Sequence, residues 1–78
     1  MLRFFTRNGC PLCDKGLAVL QPIAEGAGYT IEIIDIDLDL ALLERYNDRV
    51  PVIEALDGSV VDEGIIAPRT VESALRNP

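Results

Sequence analysis

Two cysteines, Cys10 and Cys13, are the only thiols in this 78-residue chain, and they stand in the stretch Arg7-Asn8-Gly9-Cys10-Pro11-Leu12-Cys13. A C-x-x-C pair can run thiol–disulfide exchange if one sulfur is held as thiolate and the other lies within reach of it. Proline is best tolerated at the first helical position, so Pro11 predicts a helix start with Cys10 as its N-cap. A sulfur there faces the unpartnered N–H groups of Leu12 and Cys13 and the positive end of the helix dipole. Both effects favour the thiolate, which predicts a Cys10 pKa in the range of about 3.5–7.5 found for such sites. Cys13 falls one turn down the same helix face, close enough to close a disulfide, and is expected to be more buried and less acidic. Cys10 is then the attacking thiol and Cys13 the resolving one. Arg7 and Lys15 support a thiolate; Asp14 opposes it.

The elements that must position this pair are legible in order. Leu2 to Thr6 is apolar and β-prone and predicts a first strand, ended by the turn signal Asn8-Gly9. Leu17, Leu20, Ile23, Ala24 and Ala27 recur at helical spacing after Pro11. Pro22 predicts a kink or break in that helix, and Gly26 and Gly28 its end. Tyr29 to Ile36 is rich in β-branched residues and predicts a buried second strand. Asp37 or Asp39 can cap the next helix, which carries Leu40, Leu43 and Tyr46, with Asn47 as a left-handed stop. Val50 to Leu56 predicts a third strand. Asp57-Gly58 is a two-residue hairpin signal, and Ser59 to Glu63 a fourth strand. Pro68 opens a last helix with Val71, Ala74 and Leu75. The order is β-α-β-α-β-β-α: a four-stranded mixed sheet flanked by helices, with a parallel first pair and an antiparallel last pair, in one domain spanning residues 1–78.

Composition narrows the chemistry. The chain is 49% hydrophobic and 26% charged, with a net charge of −6, no His and no Trp. That charge speaks against nucleic acid and anionic membranes as partners. The absence of His excludes a Ser-His-Asp enzyme, and two sulfurs fall short of the four ligands of a closed zinc site. No apolar run approaches the roughly 20 residues of a spanning helix, and Met1 to Arg7 is too short and too soon charged for a signal peptide. The expectation is a cytoplasmic monomer that needs no metal or cofactor. Asp35-Ile36-Asp37-Leu38-Asp39 resembles a calcium loop only superficially. Leu40 and Tyr46 occupy the positions where an EF-hand needs Gly and Glu, so a strand end followed by a helix cap is the better reading.

The motif Arg7-x-Gly9-Cys10-Pro11-x-Cys13, followed by Val50-Pro51 and Asp57-Gly58, resembles the glutaredoxins of the thioredoxin superfamily, and more narrowly the short bacterial-type glutaredoxin-like proteins. The resemblance covers essentially the whole chain and implies the thioredoxin/glutaredoxin-like fold. It implies that Cys10 and Cys13 form a redox-active disulfide. It also implies a cis Pro51 beside the active-site helix, a Val50 whose backbone pairs with the bound thiol substrate, and an Arg7 that holds a glutathione carboxylate, with Arg49 assisting. Pro11 and Leu12 complete the implied substrate-binding set. Two positions differ from the family pattern: Leu12 stands where Tyr is usual, and Glu63-Gly64-Ile65-Ile66-Ala67-Pro68 has one glycine and no following Asp where a Gly-Gly and an acidic pair are usual.

The leading expectation is therefore a dithiol oxidoreductase acting on protein disulfides or glutathione mixed disulfides, with a potential of roughly −200 to −270 mV. Two alternatives stand beside it. One is a thiol module in which Cys10 from two chains binds an iron–sulfur cluster with glutathione. The other is an interaction domain whose disulfide is structural.

Overall fold

The computed structural model describes residues 1–76. Strand β1 (Leu2–Thr6) is central and packs on both sides, so its apolar residues do not simply alternate with polar ones. Leu2 and Phe4 face one layer and Phe5 the other. Strand β2 (Ile31–Asp35) runs parallel to β1, with Thr6 opposite Asp35 at the end that leads to the cysteines. Strand β3 (Val52–Glu54) is antiparallel to β1, and β4 (Val60–Glu63) is antiparallel to β3, giving the sheet order β2-β1-β3-β4.

Helices α1 (Pro11–Ala27) and α3 (Pro68–Arg76) cover one face, where Leu20, Ala24 and Val71 meet Leu2, Phe4 and Ile53. The other face is closed by a 3-10 turn (Ile36–Leu38) and helix α2 (Leu40–Tyr46), where Ile36 and Tyr46 meet Phe5 and Val52. This is the expected thioredoxin-like architecture, in the expected element order.

Several local expectations are corrected. The break at Pro22 is absent: α1 runs unbroken from Pro11 to Ala27. Pro22 and Ala18 are both exposed, so the carbonyl that loses its donor is on the solvent side. Gly26 lies within the helix, and Gly28 alone ends it, at φ 81°. The second strand is a sheet edge rather than a buried strand, with Ile33 54% exposed. Leu40 is also exposed, because the apolar face of α2 begins at Leu42 and Leu43. Asn47 continues right-handed at φ −45°, since Arg49 and Val50 donate their N–H groups to the Tyr46 carbonyl and close the helix without a left-handed residue.

The third strand shortens to Val52–Glu54 because Ala55 enters the turn. That turn has three residues rather than two: Ala55 N–H bonds Ser59 O at 2.9 Å around Leu56, Asp57 and Gly58, with Gly58 at φ 88°. The left-handed glycine is what a three-residue loop of this kind requires.

Candidate redox site

Cys10 leaves β1 through Gly9, at φ 70°, and caps α1 in an extended conformation with Pro11 as the first helical residue. Its sulfur accepts the backbone N–H of Cys13 at 3.1 Å. Of the two N–H groups expected to serve it, Cys13's at the third helical position is the one bonded. The acceptor is the sulfur of the Cys10–Cys13 disulfide. Cys10 and Cys13 are disulfide-bonded with a Cα–Cα separation of 5.2 Å, inside the usual range for a cystine. The burial of the two is unequal: Cys10 is partly exposed and Cys13 only 1%.

Pro51 and Ile66 press onto the same face of α1, one turn beyond Cys13, at Gly16. A Cβ on Gly16 would stand 2.9 Å from Ile66 Cγ1 and 3.0 Å from Pro51 Cγ, closer than packed carbons tolerate. Gly16 is therefore what lets the loop that carries Pro51 approach the helix that carries the cysteines. Sequence reasoning passed over it. The available signal was a glycine inside a helical pattern, a residue that costs about 1 kcal/mol there and so asks for a packing reason.

The Val50–Pro51 peptide bond is cis, and Pro51 is buried. The loop is held from several sides. Gly64 N–H donates to Pro51 O at 2.8 Å, and Val50 N–H donates to Tyr46 O at 3.2 Å. The Val50 N–H is therefore already engaged within the protein. Arg49 makes a two-point bond to Glu63, with Nε–Oε2 at 2.8 Å and Nη2–Oε1 at 2.7 Å. This hydrogen-bonded pairing holds the Glu63 carboxyl below its usual range and raises the Arg49 guanidinium further. The Arg49 guanidinium also lies 5.1 Å from the centre of the Tyr46 ring.

Tyr46 is buried against Phe5, with ring centres 5.0 Å apart. Its hydroxyl donates to the buried carboxylate of Glu54, which also has Arg3 Nε at 3.6 Å. Burial first, and the bond to Glu54 second, push the Tyr46 phenol above its ordinary value. This polar group inside the second core was not foreseen, because a lone Glu in a strand gives no sign of which face it takes.

Arg7 follows β1 directly, but its guanidinium is turned to the protein. Nη2 bonds Asp37 at 2.8 Å, and Nη1 bonds the Asn47 side-chain oxygen at 2.8 Å. The acidic triplet nearby acts as caps and ties: Asp35 accepts Asp37 N–H, Asp39 accepts the N–H groups of Ala41 and Leu42, and Asp37 holds Arg7. Among the described residues, no group of three His, Cys, Asp or Glu side chains is placed to hold a metal ion. A cleft of about 330 Å³ opens behind the disulfide, bounded by Arg7, Gly9, Cys13, Asp14, Ile33 and Asp35.

Comparison with known proteins agrees with this geometry. The family model described as a glutaredoxin-like domain (DUF836) matches residues 1–77. A glutaredoxin-like protein of Dictyostelium discoideum is 31% identical over 77 residues, 91% of this chain; the chain spans 66% of that relative's length. The X-ray structure of protein XcR50 from X. campestris matches with a TM-score of 0.84 at 26% identity, over 100% of this chain and 99% of that one. The solution structure of Ne2328 from Nitrosomonas europaea matches with a TM-score of 0.80 at 27% identity, over 94% and 87%. Thioredoxin 1 from Thermosipho africanus TCF52B shares the fold, with a TM-score of 0.64 at 22% identity over 96% and 93%.

Proposed function

This chain belongs to the glutaredoxin-like domain family, and we propose that it works as a thiol–disulfide oxidoreductase through Cys10 and Cys13. In the reduced protein the Cys10 thiolate attacks one sulfur of a client disulfide. A Cys10–client bond forms, and the other client sulfur leaves as a thiolate that takes a proton from water. Cys13 then loses its proton and attacks the Cys10 sulfur, and the second client sulfur departs. The client disulfide has gained two electrons, and the protein is left as the Cys10–Cys13 disulfide seen here. Pro11, Leu12, Val50 and Pro51 form the surface on which the client sulfur is set down. A dithiol, or two molecules of a monothiol, returns the protein to its starting state.

One observation carries this reading. The Cys10 sulfur accepts a backbone N–H at a helix N-terminus, while its partner Cys13 is buried below it. A partly exposed sulfur beside helix N-terminal N–H groups, which favour a thiolate, and a recessed second sulfur suit attack followed by resolution.

The pH dependence of alkylation in the reduced protein tests it. Cys10 should alkylate first, with a midpoint well below the roughly 8.5 of a free cysteine. Cys10→Ser should abolish exchange, and Cys13→Ser should trap a stable client adduct. Equal alkylation of both thiols near pH 8.5, or full exchange by Cys10→Ser, would remove the assignment.

A further inference from the structure

Resting on that exchange reading, we propose that the client is a polypeptide disulfide flanked by apolar and cationic side chains, in preference to glutathione. Among the described residues, eight large hydrophobics are exposed, and four of them, Leu12, Leu38, Leu40 and Ile65, lie at the end of the sheet that carries the disulfide. Leu12 is two residues from Cys10 on the first turn of α1. Ile65, 80% exposed, follows Gly64, whose N–H is bonded to the Pro51 carbonyl. Leu38 and Leu40, 85% and 79% exposed, sit on the joint between the 3-10 turn and α2, which Arg7 ties back to the end of β1. Leu12 and Ile65 thus stand on the segments next to Cys10 and Pro51, and Leu38 and Leu40 on the segment that Arg7 ties down. Scattered single leucines need no explanation, but four exposed apolar side chains at the end of the sheet that carries the disulfide do.

Charge decides what kind of apolar partner fits. The two arginines nearest the site are already paired, Arg7 with Asp37 and Arg49 with Glu63. Asp14, Asp39 and Asp48 are exposed on the flanking elements, with Lys15, Arg45 and Arg69 as the opposing cations. The whole chain adds a net charge of −6. An anionic tripeptide such as glutathione would have to displace Asp37 or Glu63 to pair fully with Arg7 or Arg49, and would approach against the net field. A segment bearing Lys or Arg beside Leu-like residues gains from both features.

Single-turnover reduction by the dithiol protein tests the proposal. The substrates are three synthetic peptides with the same two-cysteine loop, flanked by Leu and Lys, by Leu and Glu, or by Ser and Gly, together with oxidised glutathione. We expect the Leu/Lys peptide to react about tenfold faster than the Ser/Gly peptide and faster still than the Leu/Glu peptide. Raising the salt from about 0.02 to 0.5 M should narrow the Lys-to-Glu gap and leave both Leu peptides ahead of the Ser/Gly peptide. Ile65→Ser, at a largely exposed position, should narrow the Leu-to-Ser gap. Rapid reduction of all three peptides at one rate, or oxidised glutathione matching the Leu/Lys peptide, would overturn the docking inference while leaving the exchange reading intact. Reduction of no substrate faster than by Cys10→Ser would overturn both.

Discussion

Gly16 leaves the space that Pro51 fills: a Cβ built on the glycine would stand 3.0 Å from Pro51 Cγ. Two effects of Gly16→Ala oppose each other. Alanine improves helix propensity by about 0.8–1.0 kcal/mol. Forcing a methyl into a filled space costs about 1–3 kcal/mol, and here both neighbours, Pro51 and Ile66, are buried and cannot swing away. The variant should be destabilised by up to about 2 kcal/mol in urea unfolding. Its exchange rate should fall as the Val50–Pro51 edge moves off α1; a stabilised variant with full activity would contradict this packing.

Arg7→Gln removes the ties to Asp37 and Asn47 rather than a contact held open for substrate. A partly exposed ion pair with added hydrogen bonds is worth about 0.5–1.5 kcal/mol. The loss should appear in the urea midpoint and as faster amide exchange over residues 35–40. A change confined to the KM for glutathione disulfide, with stability and amide exchange untouched, would make Arg7 a substrate contact.

Tyr46→Phe keeps the ring against Phe5 but strips the buried Glu54 carboxylate of the phenol that bonds it. Leaving a buried acceptor short of a partner costs about 1–3 kcal/mol. Part of that loss should return in the double variant Tyr46→Phe/Glu54→Gln, which no longer buries a charge. Chemical denaturation of the single and double variants reads the difference.

The Arg49–Glu63 bond should depend on pH in a defined sense. Glu63 has its carboxyl lowered in the fold, chiefly by the bond to Arg49. Its contribution is present above the unfolded-state value of about 4.3 and is lost as pH falls through the lower folded value. Wild type and Glu63→Gln should therefore differ in unfolding midpoint at pH 7 and converge in strong acid. A gap that persists at pH 2 would show that the glutamine costs something other than the ion pair.

The fold was largely legible because its signals are local. Pro11 and Pro68 mark helix starts, Asn8-Gly9 a turn, and Leu2, Phe4 and Phe5 a strand, and each stands where the structure has it. Cys10 and Cys13 were legible for the same reason, since three residues within one helical turn fix their separation. What escaped depends on approach between distant segments. Nothing local assigns β2 to the sheet edge, turns Glu54 into the core, or commits Arg7 to Asp37, thirty residues away. Gly16 belongs to the same group, for the reason it is there lies on residues 51 and 66.

The bond between Cys10 and Cys13 spans a sequence separation of only three. In polymer terms, it closes one of the smallest rings a polypeptide can form. Loop-closure entropy assigns such a ring about 2 kcal/mol of restraint on the unfolded chain, against nearly 5 for a ring of 100 residues. Both core clusters are built from residues outside this ring, so opening it removes little of the packing the folded state relies on. Thermal unfolding with and without reductant should give two cooperative transitions separated by no more than about 8–16 °C, leaving the chain able to pass between its two oxidation states without passing through an unfolded one.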